Sequence, residues 1–166
     1  METKTASIRM ISLVVLYDMH TKFFTSVTDG ISDKDAHNRL NTKANHVAWL
    51  TGSLVQQRFE MAKIFGGIDQ KQAGDEFFKN NKGIQDNITY PPLNDFKKDW
   101  ERISPLLRDP LVKVSDEKLD SLFEMMPGEK MTHFDFIAFI IYREANCIGQ
   151  IALWRRLLGY EAMKYM

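Results

Sequence analysis

Apolar residues recur at helical spacing through most of the chain. Between residues 6 and 28 they fall at Ile8, Ile11, Leu13, Val14, Val15, Leu16, Phe23, Phe24 and Val27. Steps of three and four put these positions on one broad face, so a mostly buried helix is predicted there. Asp29-Gly30 ends it, and the polar segment to Arg39 reads as turns. A second helix is predicted from Asn41 or Thr42 to Phe65, with Val47, Leu50, Leu54, Met61 and Phe65 as its stripe and Gly66-Gly67 as its stop.

Residues 67–92 lose the period. Asn80, Asn81, Gly83, Asn87, Pro91 and Pro92 predict a long connection with at most a short helix over AGDEFF. The period returns at 93–107 with Phe96, Trp100, Ile103 and Leu107, and Pro105 is expected to distort the last turn. Ser115 reads as the cap of a short helix through VSDEKLDSLFEMM that Pro127-Gly128 breaks. The last helix starts at Thr132, with Asp135 three residues on, and runs to about Leu158 before Gly159. No segment shows the two-residue alternation of a strand. The predicted fold is therefore all-α: one domain over residues 1–166, a four-helix bundle crossed by a long connection between its second and third helices.

Composition narrows the function classes only slightly. At 44% hydrophobic residues, the 166-residue chain is able to build a core without staples, and its single cysteine rules out an internal disulfide. No apolar run is expected to reach membrane-span length, and the N-terminal stretch lacks a cleavage motif. The expectation is a cytoplasmic protein that does not engage membranes. Lys plus Arg and Asp plus Glu are both 22 and well mixed. Without a basic stripe, no nucleic-acid partner is expected. Phosphate loops, HExxH, CxxC and hydrolase elbows are all missing.

Candidate chemistry gathers around REANCIGQ at 143–150. Arg143 and Cys147 are one turn apart on a face shared with Phe136, Ile140, Gln150 and Trp154. Two histidines at that spacing would clamp zinc or nickel with a third from another helix. Arginine has no lone pair to donate, so only His46 and Cys147 remain as ligands. His46 is equally readable as a packed histidine, and Cys147 as a small buried hydrophobe. A guanidinium facing a core needs an anion; Glu60 or a bound anionic ligand would serve, whereas Glu144 points elsewhere. Trp49 and Tyr17 are candidate pocket walls, Gln150 a candidate hydrogen-bonding group, and His20 either pocket or solvated surface.

NHVAWLTGSLV at 45–55 and REANCIGQIALWRRLLG at 143–159 resemble the two signature regions of the DinB/YfiT-like superfamily. That resemblance implies a four-helix bundle and, in the usual member, a divalent metal held by three histidines. The ligand positions fall on His46, Arg143 and Cys147, so two of the three are lost. It implies a divergent, often homodimeric bundle without the usual metal site and without a cofactor, in which the charge of Arg143 replaces the ion's, either to hold the bundle's buried acceptors or to bind a small anionic ligand. Two alternatives stand beside it. One is a metal-dependent thiol S-transferase using His46 and Cys147 with zinc or nickel; the other is a homodimeric structural or regulatory module.

Overall fold

The computed structural model describes residues 4–126 and 128–165. Among these residues seven α-helices and one hairpin follow in chain order: α1 (Ile11–Thr28), α2 (Asp33–Ala36), α3 (Val47–Gly66), α4 (Asp75–Phe78), α5 (Leu93–Lys113), α6 (Asp116–Asp120), β1 (Leu122–Met126), β2 (Glu129–Thr132) and α7 (His133–Leu157). The four long helices close a ring in which α1 packs on α5 and α7, and α3 packs on the same two. Side-chain bonds give their directions. Tyr17 and Trp100 tie α1 to α5 with opposite polarity, through Ser104 and Thr21 respectively. Helices α3 and α5 run the same way, because Gly52 abuts Phe96 and Gly66 abuts Pro110. Helix α7 runs with α1, because Glu144 meets His20 and Arg155 meets Val27; the order is thus up, down, down, up, and the parallel α3–α5 pair requires the predicted crossover.

That crossover is packed rather than loose. Phe78 lies so close to Gly52 that a β-carbon there would approach its ring to 2.3 Å, which is why this helix position is glycine. Gln72 donates to the Gly52 carbonyl at 3.1 Å, and Asp99 accepts the amide of Ala73 at 2.6 Å. Tyr90 is buried at the far end.

Three boundaries differ from the sequence reading. Helix α3 begins at Val47, not at residue 41 or 42. Leu40 and Asn41 adopt left-handed backbone, and Arg39 holds the turn by donating to the carbonyls of Lys43 and Ala44. Helix α5 continues through Pro105 and Pro110 to Lys113. Each proline removes one helical N–H, but Pro105 lies on the solvent side while Leu107 and Leu111 extend the buried stripe. After α6 the chain forms an antiparallel hairpin, where a continuing helix was predicted and strands were not. Ser121 is extended, Gly128 has φ +85°, and Phe123 pairs with Met131 on the side that packs against Phe136. Four or five residues per strand are too few for alternation to stand out in the sequence.

Helix α7 also departs from expectation. It is long and apolar enough to cross a membrane by length and composition, with mean hydropathy 1.3 over an 18-residue window of which 44% is buried inside the bundle. One side packs on α1 and α3, while Phe139, Tyr142, Leu153 and Leu157 are exposed.

Candidate functional site

Two arginines define two different polar places in the bundle. The first is its centre. Arg58 of α3 and Glu144 of α7 have fully buried side chains and form a two-pronged pair, with Nε donating to Oε1 at 2.6 Å and Nη2 to Oε2 at 2.9 Å. The remaining terminal nitrogen, Nη1, donates to Thr21 Oγ1 at 2.8 Å and Ser104 Oγ at 2.7 Å. The guanidinium is sandwiched between the rings of Trp100, at 3.4 Å to the centroid, and Tyr17, at 4.0 Å. His20 Nδ1 lies 3.3 Å from Glu144 Oε2. Every long helix therefore contributes a group.

Burial by itself would push the Glu144 carboxyl up. The charge and hydrogen bonds of Arg58, with His20 beside it, outweigh burial and hold the carboxyl below the usual carboxylate range. Burial likewise raises the Tyr17 phenol, against the opposing pull of Arg58. This centre is closed: its charges cancel, and four of the five Arg58 N–H groups have acceptors among the described residues.

The second place is a cavity of about 540 Å³ between α3, α7, the crossover and the hairpin. Arg143 stands in its wall. Its two terminal nitrogens donate to Gln57 Oε1 at 2.5 Å and Ser53 Oγ at 2.6 Å, two neutral oxygens one turn apart on α3. A guanidinium has five N–H donors. The Nε–H and one N–H on each terminal nitrogen thus have no protein acceptor among the described residues. No carboxylate pairs with Arg143 there either. Glu60 lies in the same cavity without an ion partner among the described residues, although it feels the charge of Arg143. Desolvation raises its carboxyl, opposed by a hydrogen bond from Gln56 and by Arg143.

The residues singled out from sequence are spread over several places. Arg143 and half-buried Trp49 do line one cavity. Cys147 is buried next to it, and burial raises its thiol, with Arg143 pulling the other way. A buried, protonated thiol is a poor nucleophile. Tyr17 belongs to the Arg58 centre. Gln150 is exposed and bonds Asn146 at 2.6 Å, so it crosses to no other helix.

His46 is the N-cap of α3. Its Nδ1 accepts the Trp49 amide at 3.1 Å, and its ring packs between His37 and Tyr90. Burial first, then the charges of His37 and Arg39, lower its pKa to about 4, so the ring is neutral and its lone pair is committed to the cap. The set therefore does not fit a metal. One candidate ligand is spent on the backbone, another is a guanidinium, and no group of three His, Cys, Asp or Glu able to hold an ion occurs among the described residues.

Sequence reasoning missed the Arg58–Glu144 centre, and His20, weighed as solvated surface, is buried within it. A signal was present. Arg58 follows Leu54 by four and precedes Met61 by three, and Glu144 falls between Ile140 and Ile148, so two apolar stripes each carry one charge of opposite sign. No protein-family model and no curated protein matches this chain.

Proposed function

We propose that this chain is a small-molecule-binding helical bundle whose cavity at Arg143 receives an anionic group, in a divergent member of the DinB/YfiT-like type. The supporting observation is the state of Arg143: a cation held in a cavity wall by two neutral oxygens, with N–H groups left over and no carboxylate paired to it. The helix-two segment and the order up, down, down, up with its crossover support the family reading. A permanent positive charge at a position where that family places a metal ligand supports an anion-binding role in place of metal chemistry. Aromatic walls from Trp49, Phe78, Phe136 and Phe139 favour a ligand with an apolar body.

Calorimetric titration with 3-phenylpropanoate tests this. Saturable one-site binding is expected, weakened about ten- to hundredfold by Arg143→Gln, since a hydrogen bond to a charged group contributes roughly 1.5–3 kcal/mol. No heat of binding at millimolar ligand, or equal affinity in the variant, overturns the reading.

A further inference from the structure

The cavity is lined by two carboxylates, Glu60 and Glu124, and two cations, Arg143 and Lys82, and Glu60 and Arg143 do not meet. Glu60 lies three residues past Gln57, the residue that holds Arg143, so the two side chains are neighbours on one face of α3. Arg143 and Glu60 feel each other's charge without forming an ion pair. Each is restrained by a neutral partner instead. Gln57 and Ser53 hold the guanidinium, and Gln56 Nε2 donates to Glu60 Oε1 at 3.2 Å.

Gln56 is itself fixed. Its Oε1 accepts from Gln72 Nε2 at 2.7 Å, and Gln72 is anchored on the Gly52 carbonyl. Both amides are buried, so the crossover sets the orientation of the group that holds Glu60. The other carboxylate that Gln56 touches among the described residues, Asp75, is neutralised by Lys79 at 2.9 Å. Glu60 has no such cation among the described residues, and it is exposed enough to be reached from the cavity. A buried amide relay thus carries an unpaired carboxylate to one side of an unpaired guanidinium, beside aromatic walls.

We propose that this cavity takes a zwitterion of the α-amino-acid class: its carboxylate on Arg143, its ammonium on Glu60 and an apolar side chain against the aromatic wall. This rests on the anion-binding reading of Arg143 above. An α-amino acid carries its two charged groups on one carbon, which suits two protein charges close enough to interact but too far apart to pair. A plain carboxylate would leave Glu60 facing an uncompensated edge of the ligand.

The test compares L-phenylalanine with 3-phenylpropanoate, which lacks only the amino group, by calorimetry at pH 7.5 on the full chain and its Glu60→Gln variant. Phenylalanine is expected to bind about tenfold tighter to the wild type, in line with one added charge-assisted hydrogen bond. Glu60→Gln is expected to bring that ratio to about one, because phenylalanine loses the partner of its ammonium while 3-phenylpropanoate is not weakened. A wild-type ratio near one, or a ratio that survives in Glu60→Gln, overturns the zwitterion assignment and leaves the Arg143 reading standing. Failure of both ligands to bind removes the two together.

Discussion

Arg58 and Arg143 are the same residue type, both between α3 and α7, yet their surroundings are opposite. Arg58 has a carboxylate, two hydroxyls and two aromatic faces, all inside the bundle. Arg143 has two neutral oxygens and a cavity. Each even stands beside the other's partner in sequence: Glu144, which answers Arg58, follows Arg143, and Gln57, which holds Arg143, precedes Arg58. One residue's advance around a helix turns a side chain by about 100°, enough to send the two groups to different places. The lesson is that a charge on a helical stripe says little until its counter-charge is located. Where the counter-charge is internal, the arginine holds the fold; where none is found, the arginine is free to hold something else.

The sharpest way to break this contrast is to remove one half of the closed pair. Glu144→Gln strands a buried guanidinium and is expected to cost about 3–5 kcal/mol in urea denaturation. The pair replacement Arg58→Met with Glu144→Leu is expected to recover most of that loss, because no buried charge is left uncompensated. A loss under about 1 kcal/mol for Glu144→Gln would mean water reaches the centre, and the distinction between the two arginines would fail.

A smaller effect is expected at the lip of α3. The folded pKa of His46 is about 4, below its ordinary value of about 6.5. The folded protein therefore binds this proton less readily than the unfolded chain. The cap's contribution is full above about pH 6.5 and is lost as pH falls toward 4. Asparagine caps a helix without titrating there. Melting temperature should thus fall more steeply between pH 7 and pH 4.5 in the wild type than in His46→Asn; parallel curves would show that the ring is not the neutral acceptor described.

The smallest effect belongs to Arg143 itself. In the absence of ligand, Arg143→Gln is expected to change stability by no more than about 0.5 kcal/mol, as for a half-exposed residue outside the core. A loss comparable to that of Glu144→Gln would place Arg143 among the groups that hold the bundle together and remove the basis for a binding role.

Much of this was legible from the sequence, and the limits have physical causes. The four long helices and the crossover followed from apolar spacing and from glycine and proline punctuation. The start of α3 did not, because Asn41 and Thr42 look like a cap, whereas the turn that delays the helix is held by the Arg39 side chain on the carbonyls of Lys43 and Ala44 and on Asp86, contacts with no periodic signal. The hairpin was hidden by its shortness. At the site, Arg143 and Trp49 were found from their spacing and type, but Glu60 was considered only as a direct ion partner. Its separation from Arg143 depends on where Gln56 and Gln57 point, and Gln56 in turn depends on Gln72, sixteen residues away in the crossover. Side-chain amides carry no periodic signature. His46 shows the converse: a residue type suggestive of ligation is used for the backbone, which only the local geometry reveals.

The most direct test of the contrast is a nitrogen–proton NMR spectrum of the arginine Nε–H groups, recorded during titration with 3-phenylpropanoate and assigned with Arg143→Lys. The Arg58 resonance should exchange slowly with water and stay in place throughout, because its proton is buried on Glu144. The Arg143 resonance should exchange readily and move saturably as the carboxylate binds. An Arg143 signal that is protected from the start and indifferent to the carboxylate, or an Arg58 signal that moves in its place, would contradict the assignment of one arginine to the fold and the other to a ligand.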